Sequence, residues 1–485
     1  MQVPSSRPSP YLIAFLLGES LLMGLGTLLA VYFRTGSFTE IFTWRYSWHR
    51  IVVVPMVLQL TFYYFDLHNF RIARPFMWTV TRLIQAMAVG TLAMAVVYYI
   101  FPRLFLGRGV LVLGFFIITL LTMVWRGLYG WALRQRLLAT KVLLLGAGNL
   151  ADSILEEVVS RSDNIYNIVC IVDPSSGGQE ALACREAEGA PPGAPPMDLL
   201  EVWANLLKAD LRRDPSELVG LIRHHQANLV VVAMGEKRTR MPLEELLRCR
   251  MLGVPILGGE DFLETISGRI LADHIRPSWL IFSPGFKTSE LRRLSKRGVD
   301  IFLSALGLLL ALPLTALTAL AVRLDSRGKI IYRQERVGQY GRVFEILKFR
   351  TMVEDAEKET GPVWATAGDA RVTRVGRFLR KSRLDEIPQM WNVLRGDMSF
   401  VGPRPERPLF VERLTARLPY YSERHNVKPG ITGWAQVCYP YGSSEAAALE
   451  KLNYDLYYIK HSSFSMDVMI LVQTARIMLF GGGGL

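Results

Sequence analysis

Apolar residues gather into four runs at the start of the chain, roughly 11–33, 49–65, 81–101 and 108–131. Charges are rare inside them. Each is about the ~20 residues that a membrane helix needs, although the second is short. Trp44, Trp48, Tyr98, Tyr99, Trp125 and Trp131 crowd their ends, as interfacial anchors do. A soluble helical core is the competing reading, and four such runs in 131 residues argue against it. The first run lacks a small-residue cleavage site, so it reads as retained rather than as a leader. Loop charge does not set the orientation, because Arg34, Arg45 and Arg50 rival Arg71, Arg74 and Arg82.

The pattern then changes period. Lys141 to Gly148 is a buried-type strand running into a glycine turn, followed by a helix over 150–160 and a second strand, Ile168–Val172, ending at Asp173. Further strand–helix alternation at 228–233, 242–250 and 254–257 predicts a parallel α/β sheet. Residues 174–196, rich in Ser, Gly, Ala and Pro, read as a flexible insertion. The turn from Gly146 to Ala151 resembles the Rossmann fingerprint with Ala in third place. Such glycines admit a pyrophosphate, with Asp173 where a ribose carboxylate would stand. A domain of the same shape whose glycines serve only the turn is the alternative.

From Arg292 a basic cluster (Arg292, Arg293, Lys296, Arg297) precedes a fifth apolar run, 299–322. A second cluster (Arg323, Arg327, Lys329, Arg333, Arg336) follows it. Both flanks are positive, which suits two ends on one side of a membrane. Pro313 removes a helix hydrogen bond near the middle. Together they predict a helix that enters, breaks at Leu312–Pro313 and returns; a straight span is the alternative.

Composition narrows the partners. Half of the 485 residues are hydrophobic and the formal net charge is +13. That balance points to anionic lipid or phosphorylated substrates, and the apolar runs argue against nucleic acid. Four cysteines, Cys170, Cys184, Cys249 and Cys438, lack metal spacing and read as reduced thiols.

Candidate chemistry concentrates after residue 340. Alternation puts Lys348 and Arg350 on one face of an extended segment. Residues 373–381 form a basic amphipathic helix. The acidic pair Asp385–Glu386 precedes Pro388, which favours a first helical turn, so a helix from near Ile387 to Leu394 would place both carboxylates at its N-terminal edge. That edge attracts phosphate oxygens and keeps a carboxylate ionised. An ionised Asp385 can attack phosphorus, with Mg²⁺ and arginines offsetting the diphosphate charge and Glu386 as the natural metal ligand. A structural N-cap is the bland alternative for Asp385. Pro403 and Pro405 fix the backbone around Arg404 and aim its guanidinium at a phosphate or a uracil.

The stretch 382–405 closely resembles the signature of bacterial polyprenyl-phosphate sugar-1-phosphate transferases. Lys348–Met352, Val427–Val437 and Tyr454–Lys460 match further boxes of that family. The resemblance implies catalytic Asp385 and Glu386, and substrate contacts from Lys348, Arg350, Pro403, Arg404 and Asp455. Asn392, Arg395 and Asp397 would order the loop. It implies a membrane protein with four transmembrane helices (1–135), a Rossmann-like α/β domain (136–275) and an α+β catalytic domain (276–485) with a re-entrant helix at 299–322. The implied reaction moves a sugar phosphate from a UDP-sugar through Asp385 to undecaprenyl phosphate, with Mg²⁺, at the cytoplasmic face of the inner membrane. Inner-membrane lipids are implied partners, and a homodimer is allowed. His461–Ser463 and the tail Gly481–Gly484 depart from the family pattern. Two rival classes are a membrane-anchored NAD-dependent nucleotide-sugar enzyme and a non-enzymatic assembly or chain-length regulator.

Overall fold

The computed structural model describes residues 10–36, 48–65, 67–68, 76–134, 139–160, 165–173, 210–212, 218–234, 241–273, 275, 277–286, 289–353, 369, 371–439, 442 and 444–480. The proposed insertion 174–196, Cys184 and the glycine tail lie outside them. The chain divides into two compact units that meet in sequence between Phe262 and Leu263.

The first unit opens with α1 (Pro10–Thr35), α2 (Trp48–Tyr64), α3 (Phe76–Ile100) and α4 (Arg108–Arg134). By length and composition α1, α3 and α4 can cross a membrane, whereas α2 is shorter. Their outward faces carry leucines, valines and phenylalanines, such as Leu21, Leu92 and Phe116. Charge is buried inside: Glu19 on α1 lies 2.7 Å from Arg126 on α4. His68 and Gln59 each approach Glu19 at 3.3 Å. A carboxylate in an apolar run is tolerated only with such partners.

The same unit continues as β1 (Thr140–Leu145), α5 (Asn149–Ser160), β2 (Tyr166–Val172), β3 (Asp210–Arg212), α6 (Leu218–His225), β4 (Leu229–Val232), α7 (Leu243–Met251), β5 (Ile256–Gly258) and the start of α8 (Gly259–Ser267), a helix whose remainder from Leu263 belongs to the second unit. All strand pairings are parallel, in the order β3-β2-β1-β4-β5. Val142 to Leu145 are fully buried, as the apolar run requires. Gly146 has φ +126° and lies so close to the Ala233 carbonyl that a Cβ would collide. Its lack of a side chain is therefore explained by the turn and by packing against the end of β4.

The second unit holds α9 (Pro277–Phe282), α10 (Glu290–Asp325), β6 (Ile331–Val337), β7 (Val343–Phe349), α11 (Arg374–Ser382), α12 (Gln389–Arg395), β8 (Ser399–Val401), α13 (Pro408–Arg417), β9 (Gly430–Thr432), α14 (Trp434–Cys438), α15 (Glu445–His461) and α16 (Phe464–Phe480). Its core gathers Trp434, Tyr457, Leu456 and Ile470, and it includes Ile270 and Ala272. The Asn453 backbone carbonyl accepts from Ile270 N, and its side-chain Oδ1 accepts from Ala272 N. Those contacts set the start of the unit earlier in the chain than residue 276.

The expected break at Leu312–Pro313 is absent. One helix, α10, runs for 36 residues through Pro313. A proline deletes a single N–H and bends a helix without ending it when the flanking residues remain good helix formers, as the leucines and alanines here do. One face of α10 lies on its own unit along most of its length. Arg297 donates to the carbonyls of Val393 and Leu394. Asp300 accepts from Ser399 and Phe400 N. Gly307 abuts Met390, Ala311, Ala319 and Val322 join the cluster of Phe349, Leu379 and Ile387, and Asp325 accepts from Val375 N. The opposite face exposes Leu309, Leu310, Leu312, Leu317, Leu320 and Leu324.

Candidate active site

β6 and β7 form an antiparallel ribbon that pairs Tyr332 with Lys348. Asn392 on α12 clamps β7, accepting from Leu347 N at 3.0 Å and donating to Glu345 O at 2.7 Å. This fixes Lys348 beside the start of α12. The acidic pair occupies a tight turn, Leu384–Glu386, and α12 begins only at Gln389, later than expected, with Pro388 at its N-cap. Arg383, which both closes α11 and opens that turn, is held at φ +58°. A left-handed arginine carries strain of about 1 kcal/mol or more, and such strain collects at functional sites.

Asp385 and Glu386 face opposite electrostatics. Glu386 Oε1 lies 3.0 Å from Lys348 Nζ, 3.1 Å from Arg404 Nη2 and 3.8 Å from Arg383 Nη1. Burial works to raise its pKa, but Lys348, Arg404 and Arg383 together outweigh it and hold the carboxyl well below its ordinary range. Asp385 is buried, and its Oδ1 has no hydrogen-bond partner. Burial first, and the Glu386 charge second, raise its pKa, against Lys348, Arg383 and Arg380. The expectation that a helix edge keeps Asp385 ionised is thus reversed in sign, because the turn buries it before any helix starts. Burial also lowers the pKa of Lys348.

Both carboxylates line a cavity of about 1600 Å³, together with Lys348, Arg350, Arg404 and Asp455. The loop carrying Pro403 and Arg404 follows β8, which pairs with β9 through Ser399–Gly430 and Val401–Thr432. Gly402 and Gly430 approach so closely that a Cβ on either would overlap the other's backbone. Gly430 N donates to the Pro403 carbonyl at 2.9 Å. That bond ties the backbone of Pro403, the residue before Arg404, to the start of β9. Asp455, on α15, is 2.9 Å from Arg424, and both are buried. Burial pushes the Asp455 carboxyl up to about 6 in spite of that arginine.

Sequence reading passed over Arg424, Tyr421 and Arg383. Arg424 and Tyr421 lie in a short irregular turn, Tyr421–Asn426, with no periodicity to mark them. Arg383 had one available signal, its place directly before the acidic pair.

Among the described residues, no group of three His, Cys, Asp or Glu side chains is placed to hold a metal ion. Mg²⁺ is commonly held by one or two carboxylates when substrate phosphates complete its shell. A charged Glu386 beside the orphan oxygen of Asp385 fits that mode, although Glu386 Oε1 is engaged by lysine and arginine here.

Residues 291–481 match the bacterial sugar transferase family. A glucose-1-phosphate transferase acting between UDP-glucose and undecaprenyl phosphate in Caulobacter vibrioides is 44% identical over 190 residues, covering 38% of this chain and 70% of that protein. The chain belongs to the bacterial sugar transferase family. An Aeromonas hydrophila UDP-N-acetylgalactosamine-undecaprenyl-phosphate N-acetylgalactosaminephosphotransferase is 41% identical over 238 residues, 49% of this chain, and the match spans only 55% of that relative. An Escherichia coli UDP-glucose:undecaprenyl-phosphate glucose-1-phosphate transferase is 44% identical over 190 residues, 38% of this chain and 40% of its own length. The acidic pair, the Pro-Arg-Pro loop and all of the cavity's lining residues lie inside the family match, and the apolar helices fit a membrane protein.

Proposed function

We propose that this bacterial sugar transferase moves a sugar-1-phosphate from a UDP-sugar to undecaprenyl phosphate, the first membrane step of an exopolysaccharide, capsule or O-antigen pathway. The observation that carries the reading is the split acidic pair. Glu386 is neutralised by Lys348, Arg404 and Arg383, and Asp385, which keeps a buried oxygen without a hydrogen-bond partner, lines the same cationic cavity. A nucleophile needs that bare oxygen, and a diphosphate needs those cations.

The Asp385 carboxylate attacks the β-phosphorus of the UDP-sugar. The bond to the bridging oxygen breaks, and UMP leaves with the electron pair. The acceptor phosphate then attacks the phosphoryl-aspartate, and Asp385 leaves as a carboxylate. Arg404, aimed by the two prolines, binds nucleotide phosphate or uracil. Arg424 and Asp455 hold Arg404 in place through its backbone. Glu386 would hold Mg²⁺, which supplies charge neutralisation on the diphosphate.

Cytosolic UDP-sugars put the second unit at the cytoplasmic face of the inner membrane. Contact of α10 with its own unit from Arg297 to Asp325 supports a helix that dips into the bilayer with both ends on that face. About 54 Å of straight helix would otherwise carry one end away from the fold it touches. The parallel sheet order and the glycine turn support a Rossmann-like domain with a role outside the chemistry. Release of UMP from a panel of UDP-hexoses and UDP-N-acetylhexosamines, with and without undecaprenyl phosphate, tests the proposal. UMP release with none of them would end it.

A further inference from the structure

The backbone around Arg404 is pinned one carbonyl at a time. Pro403 O accepts from Gly430 N at 2.9 Å, Arg404 O from Arg424 Nη2 at 2.9 Å, Pro405 O from Arg336 Nη1 at 3.0 Å and Glu406 O from Val337 N at 2.9 Å. The sequence explains why outside donors are needed. Pro403 and Pro405 have no N–H, so the loop cannot pair as a regular strand, yet its carbonyls still require partners. The start of β9, the turn Tyr421–Asn426 and the end of β6 supply them.

Arg336 is itself held. Its Nε and Nη2 donate to Gln334 Oε1 at 3.1 and 2.6 Å, and its Nη1 lies 3.5 Å from Glu406 Oε2. Gln334 Nε2 donates in turn to Tyr332 Oη at 3.1 Å. Tyr332, Gln334 and Arg336 alternate along β6, so they share one face, and all three line the cavity. Tyr332 pairs across the ribbon with Lys348, which therefore stands on that same face. The ribbon thus carries two of the grips on Glu386. Lys348 reaches Glu386 Oε1 directly at 3.0 Å. Arg404 reaches the same oxygen at 3.1 Å, from a loop that Arg336 and Val337 fasten to β6.

We propose that Arg336 is a positioning residue for Arg404. Through the Pro405 carbonyl it makes the β6–β7 ribbon set the separation of Lys348 and Arg404 over Glu386, so that both cations meet the donor diphosphate at a fixed spacing. This rests on the transferase reading above, and it gives Arg336 a role exerted through the loop rather than on the substrate.

A double-mutant cycle on UMP release by the full chain in nanodiscs tests it. Arg336→Met should lower kcat/KM by about tenfold or more, the scale expected when a site group is slightly misplaced. In an Arg404→Ala background the same change should cost less than about twofold, because the group it positions is gone. Losses that multiply overturn the proposal, since a direct substrate contact or a general loss of folding acts whether or not Arg404 is present. Should Arg404→Ala be too slow to measure, Arg404→Lys serves as the background. If Arg336→Met does not fold, Arg336→Lys, which keeps a donor for the carbonyl, takes its place, with a smaller loss and the same dependence on Arg404. A reaction-free measurement separates this inference from the reading it rests on. Amide hydrogen exchange across 402–407, followed by mass spectrometry without substrate, should quicken in Arg336→Met. Unchanged exchange refutes the positioning role, whereas quickened exchange in a chain whose wild type turns over no UDP-sugar supports the hold on the loop and refutes the reaction.

Discussion

Arg424 stands 2.9 Å from the Asp455 carboxylate and donates through the same Nη2 to the backbone carbonyl of Arg404, also at 2.9 Å. One buried arginine thus links α15 to the loop that grips Glu386. Asp455 lines the cavity and also reaches that loop through Arg424.

That arrangement separates folding from chemistry. Asp455→Ala leaves Arg424 charged and unpaired in the core, which should destabilise the second unit by about 3–5 kcal/mol. Asp455→Asn, of the same shape, should cost less and raise the KM for the UDP-sugar, because Arg404 loses a rigid support. Thermal unfolding in detergent, read beside donor KM, checks both. An alanine variant as stable as wild type would remove Arg424–Asp455 from this role.

Asp385→Asn should abolish UMP release and labelling of the lipid, since an amide cannot carry the phosphosugar. Glu386→Gln should lower the rate and weaken Mg²⁺ dependence, and should leave Lys348 and Arg404 short of a partner. Sugar-phosphate trapped on protein, detected by mass spectrometry, should appear in wild type and vanish in Asp385→Asn. More than a few per cent of wild-type turnover in Asp385→Asn would reassign the nucleophile.

The pH profile follows from the sign of the Asp385 shift. Only the carboxylate attacks, and its pKa is raised, so kcat/KM should fall on acidification at a higher pH than for an ordinary aspartate. Lys348 is among the charges that pull this pKa down. Lys348→Met should therefore move the acid limb further up. A limb that stays in place or shifts down in that variant contradicts the assignment.

Much of the site was legible because local chemistry marks it. Asp385 and Glu386 beside Pro388, and Arg404 between two prolines, are signals of short range. The parallel sheet was legible from buried runs such as Val142–Leu145. What escaped was long-range. Arg424 reaches Asp455 across 31 positions of sequence and carries no periodic mark. The protonation preference of Asp385 depends on how deeply the turn is buried, which no spacing encodes. Pro313 was read as a break because its missing N–H is local, whereas continuity of α10 is decided by packing along its whole face.

Membrane placement of α10 makes a separate prediction. Both its ends should face the cytoplasm, so single cysteines introduced at Arg293 and Arg327 should each resist a membrane-impermeant thiol reagent applied from the periplasm. Labelling of the Arg327→Cys protein would reveal a true span. Pro313→Leu should favour a straighter helix, shift the acidic pair relative to the bilayer surface and lower lipid labelling more than UMP release.

The last prediction concerns the smallest active piece. Every side chain assigned to phosphoryl transfer lies in the second unit, so the four apolar helices and the parallel sheet should be dispensable for chemistry. A start at Lys287 looks sufficient from the motifs alone, since it keeps α10, Lys348, Arg350, the acidic pair, Arg404 and Asp455. The packing says otherwise. Trp434 Nε1 donates to Gly268 O at 3.1 Å, Ala272 N donates to Asn453 Oδ1 at 2.9 Å, and Glu264 forms a buried ion pair with Lys460 at 2.6 Å. Removing residues before 287 would strip partners from Asn453 and Lys460, which flank Asp455 on α15. A chain beginning at Leu263 should therefore release UMP in detergent with the same Asp385 dependence. One beginning at Lys287 should unfold at lower temperature and lose most activity. Equal activity from both would mean that 263–286 is ballast. Inactivity of a well-folded Leu263 form would mean that the first unit takes part in the reaction, and the glycine turn at Gly146–Gly148 would be the place to look.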